Sequence, residues 1–303
     1  MNAEQLRYFE LAYRERNYSA AARKVPCSPQ GLSKAIHALE KELGVTLFTS
    51  DPETGMPVPT DYAHELYEYA CVNDSNLRLL HESFERIRGQ ERYTIRLGCS
   101  LGVLGTLGPD FVTSFRRLHP NIALQYWETD DDLCERGLRD STFDLGLLVG
   151  PYGDDLAAQV LYRAPVYFWM RADDPLASKE ALTVEDFAGR EVALPGEGFK
   201  CYRRLLEATE AAGVVPGAIY EMSEIFQLYE FAASGRGLGF SVRHIVELSS
   251  FHSSPDVVAL PVEGSSWTFG IVRLATHATD QAEQTLWNWC ASWARRLPSD
   301  PVG

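Results

Sequence analysis

The hydrophobic pattern changes its period near Gly89, and this change constrains the fold more than any other feature of the sequence. Before it, apolar residues recur every three or four positions, as they do in amphipathic helices. After it, short apolar runs alternate with helical segments, which is typical of α/β domains. A chain of 303 residues is long enough for about two domains. We therefore expect a mainly helical N-terminal part and an α/β C-terminal part.

Charge is distributed unevenly along the chain. The net charge is −14, yet residues 1–60 hold as many basic as acidic side chains, so the acidic excess lies beyond them. Between Arg16 and Lys41 there are five basic residues and a single acidic one, Glu40. Because clusters of Lys and Arg bind phosphates, we expect an anionic partner to bind the N-terminal segment.

The cysteines and the apolar segments exclude several classes of protein. The six cysteines are scattered singly, without a Cys-x-x-Cys pair, which excludes a disulfide framework and the usual zinc spacings. The N-terminus lacks a signal-peptide pattern, and no apolar run approaches the roughly 18 residues that a membrane helix needs. We expect a cytoplasmic protein with reduced thiols, no membrane contact, no metal and no cofactor.

Three helices are predicted at the start of the chain. The first covers residues 4–14, and Ser19 is a candidate N-cap for a second, short helix. The third has Ser28 as its N-cap and Pro29 at its first position, and Gly44 ends it. The short connection between the second and third helices is typical of a helix-turn-helix.

A hairpin and a polar helix face complete the prediction of a winged helix-turn-helix domain over residues 1–59. Apolar runs at 45–48 and 56–58 flank a polar turn, which indicates a small wing. The outer face of the third helix is polar and basic, and it consists of Gln30, Ser33, Lys34, His37 and Lys41.

Specific strings in this region point to a family. The runs YSAAA at 18–22, SPQGLSKAI at 28–36 and LEKELGVTLF at 39–48 closely resemble the DNA-binding domain of LysR-type transcriptional regulators. That family usually has Gln where Pro29 stands and Arg where Ser50 stands. The first difference changes which side chain reads bases, and the second removes one phosphate contact.

The candidate DNA contacts lie on the third helix and near it. Gln30 can bind adenine in bidentate fashion, and Lys34 can reach guanine or a phosphate. Pro29 belongs to the same interface. The residues that we assign to phosphate or water-mediated contacts are Ser19, Ser28, Ser33 and His37.

A long helix is predicted over residues 60–89, with an apolar seam spaced in alternating threes and fours. Asn73 falls within this seam, where a polar residue fixes register with a partner helix. LysR-type regulators dimerise through a helix at this place, so the resemblance implies a homodimer or homotetramer. The alternative is that the helix packs on its own domain. The candidate dimerisation residues are Leu66, Asn73, Leu77, Leu80 and Phe84.

Residues 90–303 are predicted to form two α/β lobes. Strands at 94–99, 122–127 and 143–149 alternate with helices, which indicates a parallel sheet. The second set comprises a strand within 160–170, a helix opened by Thr183, strands at 191–194, 218–222 and 238–242, and helices at 202–212 and after a cap at Ser223. In the first set, Phe111, Phe115 and Leu118 are expected to be buried.

The last strand, 268–274, and the last helix, 279–297, have no partner in the second set, and we expect them to return to the first. Lobe I then comprises 90–163 and 267–303, and lobe II comprises 164–266. Such a two-lobed domain is similar to the effector domains of LysR-type regulators and to periplasmic solute-binding proteins.

One motif supports two hypotheses. Residues 98–102 fit Gly-x-Ser-x-Gly, the nucleophile elbow of serine hydrolases, with Asp144 as the acid and His244 or His252 as the base. However, no earlier strands or His-Gly-Gly run precede the motif to build an oxyanion hole. The other hypothesis places the Ser100 hydroxyl at a helix N-terminus, where it suits an anionic group of a ligand.

A small, partly apolar organic effector is expected in the cleft between the lobes. Ser100 and adjacent N–H groups would bind a carboxylate or another electron-rich group, and apolar side chains would cover its body. Cys201 also permits a redox-sensor hypothesis, although a plain thiol is favoured because no other Cys lies within 60 residues. The candidate effector contacts are Ser100, Leu101, Thr129, Phe199, Cys201, Phe226 and Ser241.

Two classes of function follow from the sequence. The first is a dimeric or tetrameric, sequence-specific DNA-binding regulator, not an enzyme, whose partners are a double-stranded operator, a small organic effector and, as a further candidate, RNA polymerase. The alternative is a serine hydrolase or a solute-binding module with a helical appendage.

Overall fold

The computed structural model describes residues 1–52, 54–87, 93–248 and 255–297. The chain divides into two compact units, an N-terminal unit that ends near residue 90 and a C-terminal unit formed by almost all of the rest. The predicted helix end at Gly89 and the candidate base His252 lie outside the described residues.

The N-terminal unit begins with three helices, α1 (Ala3–Glu15), α2 (Tyr18–Ala22) and α3 (Pro29–Leu43). The N-cap of α2 is Asn17, whose side chain accepts a hydrogen bond from the Ala20 N–H at 3.0 Å. The prediction that Ser19 caps this helix is therefore wrong, because Asn caps a helix as well as Ser does and Asn17 comes first along the chain. Ser19 lies exposed within the first turn of α2.

Helix α3 begins and ends as predicted. Ser28 Oγ accepts a hydrogen bond from the Gly31 N–H at 3.1 Å, and Pro29 occupies the first helical position. Gly44 ends the helix with a φ of 72°, which a residue without a β-carbon adopts without strain. The side chains of α3 that lie in the core are Leu32, Ile36 and Leu39.

Strands β1 (Phe48–Ser50) and β2 (Pro57–Pro59) pair antiparallel and form the predicted wing. Glu40 anchors the wing to α3, since its Oε1 accepts hydrogen bonds from the N–H groups of Leu47 at 2.7 Å and Phe48 at 3.1 Å. This arrangement confirms the winged helix-turn-helix.

Helix α4 (Asp61–Ile87) follows the wing, as predicted, but its apolar seam is divided. Ala63 and Ala70 are fully buried in the core of the N-terminal unit, and Leu66 packs half-buried against that core. Farther along, Leu77, Leu80 and Phe84 are 44–47% exposed. The first half of the seam therefore packs on its own unit, which was the alternative to dimerisation, and the second half presents apolar side chains at the surface.

The C-terminal unit contains two mixed five-stranded sheets. Its strands are β3 (Tyr93–Ser100), β4 (Ile122–Thr129), β5 (Leu145–Val149), β6 (Leu156–Ala164), β7 (Val166–Arg171), β8 (Val192–Leu194), β9 (Ile219–Glu221), β10 (Leu238–Val242), β11 (Val257–Pro261) and β12 (Trp267–Leu274). Its helices are α5 (Val103–Leu107), α6 (Asp110–Leu118), α7 (Asp131–Arg139), α8 (Lys200–Ala211), α9 (Ile225–Ala233), α10 (Arg243–Val246) and α11 (Gln281–Ala294).

The sheet with order β4-β3-β5-β12-β6 and its helices form the first lobe. Strands β3, β4 and β5 are parallel, as the alternation of strands and helices predicts. β12 pairs antiparallel with both β5 and β6, which confirms that the end of the chain returns to this lobe. Leu118 is 58% exposed at the end of α6, so the prediction that it is buried is wrong.

The second lobe contains the sheet with order β11-β7-β10-β8-β9. The predicted strand within 160–170 is two strands, because β6 and β7 belong to different sheets. The helix opened by Thr183 is a single 3₁₀ turn, and the N-cap of α9 is Glu224, not Ser223. Strand β11 was not predicted. The chain passes between the lobes twice, from β6 to β7 and from β11 to β12, so both connections lie beside the space between the sheets.

Candidate effector cavity and DNA-binding helix

The outer face of α3 carries the side chains expected at DNA. Ser28, Pro29, Gln30, Lys34 and His37 are exposed, whereas Ser33 is half-buried. The Ser28 hydroxyl caps its own helix, and His37 Nδ1 lies 2.8 Å from Glu40 Oε2. Within the described part of the chain, the Gln30 and Lys34 side chains make no hydrogen bond. Together with the exposed Lys41, they are the side chains of this face best placed to reach a partner.

A cavity of about 280 Å³ lies between the two lobes of the C-terminal unit. It opens at the carboxyl ends of β3 and β5, where open α/β sheets bind ligands. Its walls come from both lobes and from the connection between them, and they include Leu101, Asp131, Val149, Phe199, Cys201, Phe240 and Trp267. A second cavity of about 260 Å³ shares Val149, Cys201, Phe240 and Trp267 with it. The predicted contacts Leu101, Phe199 and Cys201 thus lie together in one cavity.

The other predicted effector contacts line neither cavity. Ser100 ends β3 fully buried, and its Oγ accepts a hydrogen bond from the Val149 N–H at 3.2 Å. Ser241 is also fully buried. It lies between Phe240 and Val242 on β10, which line the cavity, and since alternate residues of a strand point to opposite faces, its side chain is on the other face. Phe226 is 62% exposed on α9.

The backbone beside Ser100 also makes a hydrogen bond within the fold. The Leu101 N–H donates to the Thr129 carbonyl oxygen at 3.1 Å. Thr129 therefore holds the loop after β3 through its backbone, and the Leu101 N–H is not free for a ligand carboxylate. The anion site at Ser100 stays a prediction, which would use the hydroxyl hydrogen and not the Leu101 N–H.

The cavity contains a carboxyl group that sequence reasoning missed. Asp131 lies in the first turn of α7 and is 3% exposed. Its Oδ2 accepts a hydrogen bond from the Lys200 N–H at 2.8 Å, whereas its Oδ1 has no hydrogen-bond partner in the part of the chain that the structure describes. Burial raises the pKa of Asp131, and the neighbouring Ser100 hydroxyl and the Lys200 N–H oppose that rise. An acidic residue at a helix start is common, so the sequence pattern does not mark Asp131 as a ligand contact.

Charged side chains join α7 of the first lobe to α8 of the second. Lys200 Nζ donates to Glu135 Oε1 at 2.6 Å and to the Val149 carbonyl oxygen at 2.6 Å. Beside this buried pair, both terminal nitrogens of Arg203 contact the Asp132 carboxylate at 2.9 Å. The cavity is therefore flanked by ion pairs that span the two lobes.

The residues proposed for a serine hydrolase do not meet. Asp144 pairs with Arg96 at 3.0 Å, and His244 Nδ1 lies 2.7 Å from Thr106 Oγ1. The Ser100 hydroxyl is buried and bonded to the Val149 backbone. A nucleophile needs a base within hydrogen-bond distance and a base needs an orienting acid, so the described residues do not form this triad.

Cys201 does not have the environment of a redox sensor. Burial raises the pKa of its thiol, and the nearby Asp131 raises it further. Reactive cysteines have a lowered pKa, because the thiolate is the nucleophile. No cluster of metal-ligating side chains occurs among the residues that the structure describes. In the same residues, no helix is both long enough and apolar enough to span a bilayer.

The chain is similar to curated regulators along most of its length. The uncharacterized HTH-type transcriptional regulator YybE of Bacillus subtilis is 28% identical over 246 residues, which cover 78% of this chain and 81% of that protein. The HTH-type transcriptional regulator CbbR of Rhizobium meliloti is 26% identical over 307 residues, which cover 97% and 94%.

Solved structures show the same fold. A full-length OxyR from Pseudomonas aeruginosa superposes with a TM-score of 0.62 at 22% identity and covers 98% of both chains. The effector binding domain of QuiR in complex with shikimate gives a TM-score of 0.56 at 15% identity, over 68% of this chain and 98% of that one.

Two family models match the two units. The model of the bacterial regulatory helix-turn-helix protein of the lysR family matches residues 3–64, and the model of the LysR substrate binding domain matches residues 88–295. The second match covers more than half of the chain, so this protein belongs to the LysR family of DNA-binding transcriptional regulators.

Proposed function

We propose that a small organic effector controls this regulator by binding in the 280 Å³ cavity, hereafter the effector cavity. The observation that carries the proposal is that both lobes supply its walls, with Leu101 and Asp131 from the first and Phe199 and Phe240 from the second. A ligand that contacts both lobes favours one of their arrangements over others and so shifts the population of states. The effector cavity, at about 280 Å³, is close to the lower end of the usual range for ligand pockets, which is about 300–1,000 Å³.

The N-terminal unit supplies sequence-specific recognition in this proposal. Gln30 and Lys34 enter the major groove and contact base edges, while Ser19, Ser28, Ser33 and His37 contact phosphates directly or through water. Pro29 packs at the same interface. The exposed face of α4 at Leu77, Leu80 and Phe84, with Asn73, pairs with a second copy, so that two recognition helices bind one operator as a dimer or as a tetramer built from two dimers. A DNA-bound regulator acts in the cytoplasm, and RNA polymerase is a further candidate partner at the promoter.

The DNA part of the proposal is tested with the full chain and labelled duplex DNA from upstream of its own gene. Fluorescence anisotropy at several salt concentrations compares that duplex with a scrambled one of equal length. We expect tighter binding to the natural duplex and a linear fall of the logarithm of affinity with the logarithm of salt concentration. Equal affinity for both duplexes would contradict sequence-specific recognition.

Effector control is tested separately. A thermal-shift screen of small metabolites identifies compounds that raise the melting temperature, because a ligand that binds only the folded state stabilises it. Those compounds are then added to the protein–DNA complex in a footprinting experiment. We expect a change in the length or strength of the footprint. If stabilising compounds leave the footprint unchanged, effector control through this cavity is wrong.

A further inference from the structure

Asp131 Oδ1 is the unusual atom of the effector cavity. The residue is 97% buried, and this oxygen has no hydrogen-bond partner within the described residues although it belongs to a residue that lines the cavity. Buried polar atoms are satisfied in the great majority of cases, so a single one left unpaired beside an empty space indicates a missing partner. Such a partner must donate a hydrogen bond, because an ionised carboxylate only accepts.

The described residues leave Oδ1 unpaired, although the Ser100 hydroxyl lies near the Asp131 carboxyl and opposes the rise of its pKa. The nearest ammonium, Lys200 Nζ, already donates to Glu135, to the Val149 carbonyl oxygen and to the Pro151 carbonyl oxygen. The Arg203 guanidinium is held by Asp132 through both terminal nitrogens. Within the described ranges, the hydrogen bond that Asp131 accepts from the Lys200 backbone, at the first residue of α8, reaches Oδ2 and leaves Oδ1 unpaired.

The rest of the cavity suits an apolar or aromatic body. Phe199, Phe240 and Trp267 contribute aromatic rings, and Leu101, Leu228 and Ile225 contribute aliphatic surface. Asp131 is the one charged side chain among its lining residues. A carboxylate together with aromatic rings is the combination that binds an organic cation, since the rings attract positive charge through their faces.

We propose, on the basis of the function proposed above, that the effector of this protein is an organic amine, whose ammonium group donates to Asp131 Oδ1 and whose apolar body lies against Phe199, Phe240 and Trp267. This assignment differs from the carboxylate that the sequence suggests. A carboxylate in the effector cavity would meet the charge of Asp131, and the Leu101 N–H that would have received it is bonded within the fold.

The first test needs no variant. Isothermal titration of the full chain at about pH 8, where alkylammonium groups are charged, compares 2-phenylethylamine with 2-phenylethanol and 3-phenylpropionate, which share its aromatic body. We expect the amine to bind at least about tenfold more tightly than either of the others. Equal or tighter binding of 3-phenylpropionate, or no binding of the amine, would overturn the proposal. If 3-phenylpropionate binds as tightly as the amine through Arg204 in the neighbouring 260 Å³ cavity, the proposal is likewise overturned.

The second test removes the acceptor. Asp131→Asn keeps the shape and an oxygen for the Lys200 N–H but removes the charge, and we expect it to weaken the binding of 2-phenylethylamine by at least about tenfold while 2-phenylethanol is little affected. Glu128→Gln is the matched control, because it removes an exposed carboxylate on the adjoining strand β4 and is expected to change neither. Unchanged amine affinity in Asp131→Asn would also overturn the proposal.

Operator binding separates this proposal from the one on which it rests. All variants are assayed on the natural and scrambled duplexes. Specific DNA binding combined with preference for the acid would reject the amine and keep the effector-controlled regulator. If the unmodified chain shows no specific DNA binding, the proposed function itself is rejected, whatever the ligand preference.

Discussion

Lys200 of the second lobe donates through Nζ to Glu135 of the first, at 2.6 Å, and both side chains are nearly buried. The same ammonium also binds the Val149 carbonyl oxygen at the end of β5. Because the pair is shielded from water, the ammonium relies on the carboxylate and on the carbonyl oxygen for its solvation, and the carboxylate benefits from the ammonium. This ion pair therefore holds α8 against α7 beside the effector cavity.

We expect Lys200→Met to lower the free energy of unfolding of the C-terminal unit by about 3–5 kcal/mol, because the nearly buried Glu135 loses the ammonium group that lies 2.6 Å from its carboxylate. Urea unfolding followed by tryptophan fluorescence measures this change. All six tryptophans lie in that unit, so the N-terminal unit does not contribute to the signal.

The neighbouring pair provides the control. Arg203 and Asp132 are 40% and 46% exposed, so Arg203→Gln is expected to cost at most about 1 kcal/mol. The double variant Lys200→Met with Glu135→Met should recover part of the loss, since a buried pair of apolar side chains has no desolvation penalty. Equal losses in Lys200→Met and Arg203→Gln would contradict the buried role of Lys200.

The sequence predicted what periodicity and local capping determine. Ser28, Pro29 and Gly44 mark the bounds of α3 because capping depends on residues a few positions apart. The first half of the α4 seam was assigned to a partner because its spacing is the same whether the helix packs on its own unit or on another. Long-range packing decides that question, and the sequence pattern does not contain it.

The sequence predicts only part of the effector cavity, because local patterns place some of its lining residues and long-range packing places the others. Leu101, Phe199 and Cys201 follow strand ends or begin a helix, which places them at the mouth of the sheets. The alternation along β10 was already present in the sequence and excludes Ser241 from the face of Phe240. Asp131 differs, because only the position of Lys200 in three dimensions shows that, among the described residues, one oxygen of Asp131 has a hydrogen-bond partner and the other does not.

Base recognition by α3 is tested with two substitutions. We expect Gln30→Ala to relax specificity, with a loss of about 1–3 kcal/mol of discrimination at one base pair of the operator. Lys34→Ala should weaken binding and, if Lys34 contacts a phosphate, reduce the salt slope by about one. Anisotropy with single-base operator variants measures both effects.

The control for charge is Lys24→Ala. This exposed lysine pairs with Glu15 at 2.5 Å and lies off the outer face of α3, so its loss changes net charge without removing a base contact. It should leave base discrimination unchanged. Operator affinity within about twofold of the parent in both Gln30→Ala and Lys34→Ala would show that α3 is not the recognition helix.

Association through α4 depends on the exposed half of its seam. Leu77 and Leu80 are 44% and 47% exposed, so the double change Leu77→Glu and Leu80→Glu should convert a dimer into monomers without unfolding the N-terminal unit. Light scattering at micromolar concentration measures the mass. Leu66→Ala tests the other half, and it should lower stability by about 1–3 kcal/mol at unchanged mass, because Leu66 packs on its own core. A monomeric parent protein would contradict this prediction.

Protonation of His244 should destabilise the C-terminal unit in mild acid. Burial lowers the pKa of this histidine from 6.5 to about 4, and the opposing effect of Glu247, which follows the end of α10, is smaller. The unfolded chain therefore binds more protons than the folded one between these two values, so stability is complete above about pH 6.5 and falls as the pH decreases toward 4. The expected loss attributable to His244 is up to about 3 kcal/mol.

Urea unfolding by tryptophan fluorescence at several pH values across this window measures the loss, and His244→Gln isolates its source. Gln keeps a hydrogen-bonding group for Thr106, whose Oγ1 lies 2.7 Å from His244 Nδ1, but it does not titrate, so the variant should have a flatter profile than the parent. The control is His37→Gln on exposed α3, which should leave the profile unchanged because His37 lies in the other unit. A profile of His244→Gln as steep as that of the parent would show that another group causes the acid sensitivity.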